Sequence, residues 1–175
     1  MTKRGLIRNK KAQEVFGMPF STIFSIFLIA IFIVVAFFAI KYFMNIGKCN
    51  EQGMFIDDLR GEIDNAWQSQ SSSKTFSRSL PSGIEYVCFV DLSKDASGTA
   101  KEIEIYKELK KNADYTANLF FYPQKNSCIK ATNVEHVNMN MSNPYCFPVE
   151  NNKVEIKIEK GFTDSLVKVA RYNEK

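Results

Sequence analysis

A chain of 175 residues with 23 Lys and Arg against 19 Asp and Glu carries a formal charge of +4. Five of the basic residues, Lys3, Arg4, Arg8, Lys10 and Lys11, precede the first apolar run with only Glu14 against them, so 18 of each sign remain beyond it. That balance leaves no electrostatic footprint for nucleic acid, and the length excludes more than one sizeable folded domain after the run.

Residues 1–14 form a short basic tail, and residues 15–43 follow as one apolar stretch. No charged residue occurs from Val15 to Ile40, and fifteen of the twenty-one positions in Phe20–Ile40 are Ile, Leu, Val or Phe. A helix needs about 20 such residues to cross a hydrocarbon core. At −0.3 to −0.6 kcal/mol each, fifteen supply roughly −4 to −9 kcal/mol of insertion energy as an upper bound. A buried helix of this length would show a polar face, and none is present, so the stretch reads as a transmembrane helix with the lipid bilayer as its partner. It exceeds the 7–15 apolar residues typical of a secretory signal, and no small-residue cleavage site follows, so removal after the helix is not expected. The basic flank predicts a cytoplasmic N-terminus and an extracytoplasmic C-terminal domain. Pro19 falls near the start of the span, where a first-turn proline is tolerated. Ser21 and Ser25, four apart, are a small-xxx-small pair through which identical subunits would pack.

Residues 44–53, polar and with two glycines, read as a juxtamembrane linker, and residues 54–175 as the extracytoplasmic domain. Met54–Gln68 places Phe55, Leu59, Ile63 and Ala66–Trp67 at helical spacing, with Trp67 as a core anchor. The serine-rich Gln68–Ser82 reads as a loop. Ile84–Leu92 has the composition of a buried strand. Thr99 and Glu102 form a capping box that opens a second helix to about Asn112, with Ile103, Tyr106 and Leu109 on one side. Ala117–Tyr122 is a strand ended by Pro123, and an irregular strand is expected around Cys128–Val137. Tyr145–Glu150, a turn at Asn151-Asn152, Lys153–Lys160, a turn at Gly161–Asp164 and Ser165–Arg171 predict three sequential antiparallel strands. The fold class is α+β: a transmembrane helix, then a small domain with an antiparallel sheet and two short helices.

Cys49, Cys88, Cys128 and Cys146 all lie beyond the span, an even number on the side expected to be oxidising, which fits two disulfides. Their spacing matches no zinc pattern. Four cysteines allow three pairings, and proximity in the chain favours Cys49–Cys88 and Cys128–Cys146. His136 stands alone in a polar stretch and reads as a surface residue. Adjacent helical residues point about 100° apart, so Asp57 and Asp58 cannot form a carboxylate dyad. No nucleophile elbow, P-loop, zinc-protease or dinucleotide motif is present in the sequence. The expectation is a non-enzymatic protein with no cofactor and no catalytic or metal-binding residue. Asn140-Met141-Ser142 is a glycosylation sequon in a polar loop.

Lys10-Lys11-Ala12-Gln13 directly before a long apolar helix resembles the processing site of archaeal type IV pilin-like precursors, which carry class III signal peptides. The resemblance covers the N-terminal quarter of the chain. It implies cleavage by a prepilin peptidase between Ala12 and Gln13, which retains the helix and leaves Glu14 at the second mature position. The fifth mature position, glutamate in many pilins, is Gly17 here, and the third, serine in many archaeal ones, is Val15. Two readings therefore stand side by side: an anchored cell-surface domain for binding or envelope interaction, and a processed pilin-like structural subunit.

Overall fold

A computed structural model describes residues 11–111 and 115–172, with side chains from residue 20 onward. The basic residues Lys3, Arg4, Arg8 and Lys10 and the expected helix end at Asn112 lie outside the described residues. The chain divides into two compact units between Asn45 and Ile46.

Among the described residues of the first unit a single element is present, the N-terminal part of helix α1 (Lys11–Gln68). The helix is already formed ahead of Pro19, so that proline is an interior residue rather than a first-turn one. Every residue from Phe20 to Ile40 is exposed, with Phe20 at 74% and Leu28, the least exposed large apolar side chain there, at 38%. At 1.5 Å per residue these twenty-one residues extend about 31 Å, close to the thickness of a hydrocarbon core.

In the second unit, residues Ile46–Gln68 of α1 lie against an antiparallel sheet of β1 (Ser72–Ser79), β2 (Tyr86–Phe89), β3 (Leu119–Tyr122), β4 (Ala131–Thr132), β5 (Tyr145–Glu150), β6 (Lys153–Lys160) and β7 (Lys168–Ala170). The strand order is β1-β6-β5-β2-β3-β4, with β7 joining β6 on the side shared with β5. Helix α2 (Ala100–Lys111) is inserted between β2 and β3.

The sheet has two unequal faces. Phe55, Leu59 and Ile63 of α1 are fully buried against Phe76, Phe121 and Ile156 on one face. Burying each such side chain stabilises by about 2 kcal/mol. On the other face Ile105, Tyr106 and Leu109 of α2 cover Cys88, Phe120 and Cys146. The central strands β2 and β3 are thus buried on both sides, which is why they read as continuous apolar runs. β6 alternates, with Val154, Ile156 and Ile158 inward and Lys or Glu outward.

Several expectations are corrected. The linker at 44–53 is helical, and Met54–Gln68 is the last part of α1 rather than a separate short helix. Among the described residues one short α-helix remains, not two. Its buried face carries Glu102 and Ile105, while Ile103 is only partly covered. The serine-rich segment holds β1, because all eight of its residues pair with β6 and Phe76 enters the core. The irregular strand is only the two residues of β4, with an isolated bridge between Val137 and Val167. The Asn151-Asn152 turn is as expected, with both residues left-handed at φ 51° and 59°, the geometry of a tight hairpin.

Candidate functional site

The cysteines pair as Cys49–Cys128 and Cys88–Cys146, against the proximity pairing. The cause is strand order. β2 and β5 are neighbours although 58 residues separate the two cysteines, and the register sets Cys88 directly opposite Cys146. The other bond joins the head's first helical turns to the segment before β4. Beside it the Gln52 side chain, fully buried, closes the same joint. Its Nε2 donates to Ser127 Oγ and to the Ile129 carbonyl, each at 2.6 Å, and its Oε1 accepts from the N–H groups of Cys128 and Ile129 at 3.0 and 3.1 Å.

At the other end of the head's helix, Lys160 Nζ donates to the carbonyls of Trp67 and Ser69, both at 2.7 Å, so a cation satisfies the carbonyl end of α1. The Trp67 ring stacks on His136 with centroids 3.7 Å apart and planes 9° from parallel. His136 is held at φ +63°, and its Nδ1 lies 3.0 Å from Asp64 Oδ1. Trp67 is 38% exposed, so it is not the core anchor that its spacing suggests, and His136 is not a free surface residue. Leu166 and Phe162 on the β6–β7 connection are also exposed. Nothing local in the sequence joins Trp67 to a histidine 69 positions later.

A third polar centre lies under α2. The Glu102 carboxylate accepts from Thr99 N–H and from Thr99 Oγ1, each at 2.9 Å, and the Glu102 N–H donates back to Thr99 Oγ1 at 3.3 Å, which completes the reciprocal capping box. Its other oxygen meets Arg171 Nη2, and Arg171 Nε donates to the Cys146 carbonyl at 2.9 Å. Burial pushes the Glu102 pKa up, but the Thr99 donors and the Arg171 guanidinium outweigh it and hold the carboxyl below the ordinary glutamate range.

The remaining predicted positions are scattered. Ala12, Gln13 and Glu14 fall on the backbone of α1, and their side chains lie outside the described residues. Ser25 Oγ donates to the Ser21 carbonyl at 2.9 Å, within its own helix. Asn140 is exposed in the loop between β4 and β5. Asp58 and Glu62 bind Arg78 and Lys74 of β1, while Asp57 stays 80% exposed. Among the described residues no group of three His, Cys, Asp or Glu side chains is placed to hold a metal ion. Compared with protein-family models, curated proteins and solved structures, the chain gives no match to any of them.

Proposed function

We propose that this chain is a single-pass, membrane-anchored, non-catalytic surface domain for binding or cell-envelope interaction, with its N-terminus cytoplasmic and its head outside. The observation that carries the proposal is the apolar segment Phe20–Ile40, uncharged and exposed along its whole length, beside a head that closes its own core. In water such a surface would associate or precipitate, whereas a bilayer solvates it. Two disulfides suit an oxidising exterior. The one histidine is engaged by Trp67 and Asp64, which supports binding over catalysis. The test is extraction and topology together. The full chain is expected to stay with membranes in alkaline carbonate, and its head to be accessible to reagents outside intact cells. Release by carbonate, or a head shielded in intact cells, refutes the reading.

The second reading, a pilin-like subunit, is favoured by Lys10-Lys11-Ala12-Gln13 standing directly before the apolar run of a helix that continues without interruption to Gln68. Once its five basic charges are removed, the apolar helix is free to pack against identical helices. The α-amino group of Gln13, with a pKa of about 8, would then take Glu14 of a neighbour as its partner. Intact mass from native membranes separates the two readings, as a chain that retains residues 1–12 or one that starts at Gln13. In the second case a bulky residue at position 12 blocks cleavage, and Glu14→Gln permits cleavage but weakens assembly.

A further inference from the structure

We infer that the free edge of β1 is a self-pairing surface, which joins the head to that of a second copy standing in a facing membrane. The membrane half of this inference rests on the anchored reading above, whereas the pairing itself does not.

β1 is one end of the sheet and pairs with β6 through eight consecutive residues with no bulge. The opposite end, β4, is only two residues long. Sheets defend such an edge with proline, a bulge or outward charges. β1 has no proline and no bulge. Its two basic side chains, Lys74 and Arg78, are drawn to the helix side by Glu62 and Asp58. Ser73, Thr75 and Ser77, on the opposite face, are all exposed and uncharged.

The ladder's parity shows which backbone groups are free. The Leu80 N–H donates to the Asn152 carbonyl at 2.8 Å, and this pair continues the β1–β6 register. In an antiparallel ladder, bonded and non-bonded pairs alternate. The even-numbered residues of β1 therefore bond to β6, and Ser73, Thr75 and Ser77 aim their N–H and C=O groups at the open side.

Among registers that oppose no like charges, one overlaps the strand over the greatest length, residues 72–78. Pairing must keep side chains on their own face, so an odd residue faces an odd one. Centring on Thr75 sets Ser73 against Ser77, Lys74 against Phe76 and Ser72 against Arg78. The outward groups then form about six interchain hydrogen bonds, and the Ser/Thr ladder is a favourable cross-strand set. Centring on Phe76 opposes Lys74 to Arg78, and centring on Lys74 opposes it to itself. Both put like charges together, which destabilises the pair.

The direction of this pair sets where the copies stand. Two antiparallel β1 strands carry their own α1 segments in opposite directions, so the ends at which the chains enter the heads, near Ile46, lie on opposite sides. Copies rooted in one membrane enter from the same side, and copies in facing membranes enter from opposite sides. One strand pair is a small contact, and the many copies on two apposed surfaces supply the strength through multivalency.

The test uses the full chain reconstituted into vesicles. Wild-type vesicles are expected to cluster. Thr75→Pro should abolish clustering with an unchanged head melting temperature, because the lost N–H points outward and contributes nothing to β6. Facing Thr75 positions sit about 5.5 Å apart in a bonded pair, within disulfide range. Thr75→Cys should therefore give an oxidised dimer. Ser73→Cys vesicles mixed with Ser77→Cys vesicles should also cross-link, whereas Ser73→Cys alone, with its positions about 14 Å apart, should not. A monomeric Thr75→Cys chain, or Ser73→Cys joined to itself, overturns the pairing. Cross-linking only when Ser73→Cys and Ser77→Cys share one vesicle overturns the facing-membrane geometry. A chain that does not float with vesicles refutes the anchor, and Thr75→Cys dimerisation in solution then still decides the pairing.

Discussion

Removing the charge of Glu102 while keeping its shape separates two roles that the carboxylate combines. Glu102 is 6% exposed, binds both donors of Thr99 with one oxygen and meets the Arg171 guanidinium with the other. Glu102→Gln keeps an acceptor at the third helical position, where glutamine also serves a capping box, and so mainly loses the ion pair. A hydrogen bond between charged groups contributes about 1.5–3 kcal/mol. The Arg171 side chain is 31% exposed, and solvent screening brings the expected loss to about 1–2 kcal/mol. Glu102→Ala also removes the cap, which adds about 1 kcal/mol. Gly98 offers a third handle, because at φ +133° a Cβ built there meets Glu102 Oε2 at 2.7 Å. Gly98→Ala should therefore destabilise by displacing the carboxylate as well as by straining the backbone. The pH dependence follows from the lowered folded-state pKa. Its contribution is fully present above the unfolded value, about 4.3, and is lost as pH falls through the folded one. Urea unfolding of wild type and Glu102→Gln, measured from neutral pH downward, should show a gap that narrows with acid. A gap that holds constant on acidification, or a Gln variant as unstable as the Ala one, refutes the division of roles.

Gln52→Ala leaves the Cys128 and Ile129 N–H groups without their acceptor and should cost about 2 kcal/mol in denaturant unfolding. A loss below about 0.5 kcal/mol would mean that water replaces the carboxamide. Replacing Cys49 and Cys128 together by Ser opens a loop spanning 79 residues, for which the chain-entropy model expects a loss of about 4.5 kcal/mol. Non-reduced peptide mapping should join Cys49 to Cys128, and a Cys49–Cys88 peptide would refute the strand order.

What the sequence reveals of this fold is what local chemistry decides. The capping box needs only Thr99 and Glu102, three residues apart, and the hairpin turn only two asparagines that tolerate left-handed backbone. β1 is illegible because Ser72–Ser79 has no strand composition, and its conformation comes from the whole length of β6 beside it. The helix across 44–53 is illegible for a related reason. Gly47 and Gly53 each cost about 1 kcal/mol in a helix, and what offsets them, the Gln52 carboxamide and the Cys49–Cys128 bond, involves residues more than seventy positions away. Trp67 misleads because it continues the apolar stripe just where the helix passes the edge of its core. Of the candidate site, the exposed apolar run is fully legible, since solvation of uncharged side chains needs no tertiary partner. The parity of the β1 edge emerges only once its partner strand is known.

The polar contacts of α1 have a common logic in what apolar packing leaves undetermined. Phe55, Leu59, Ile63 and Ala66 hold the helix on the sheet, but dispersion and burial depend weakly on small sliding along its axis. Contacts with direction remove that freedom. Cys49 and Gln52 fix the helix at its entry to the head. Arg60 fixes the middle, with Nη2 donating to Thr132 Oγ1 at 2.5 Å and to the Asn133 carbonyl at 2.8 Å. Lys160 fixes the end through the Trp67 carbonyl. The same axial position brings Asp58 and Glu62 level with Arg78 and Lys74. A shift of the helix by one turn, about 5.4 Å, would bring one of those carboxylates level with the other's cation and leave the remaining cation unpaired beside the edge of β1. The entry clasp and the uncharged edge are therefore linked. Loosening the joint at Cys49 should restore to β1 the outward charge that keeps an exposed strand from pairing.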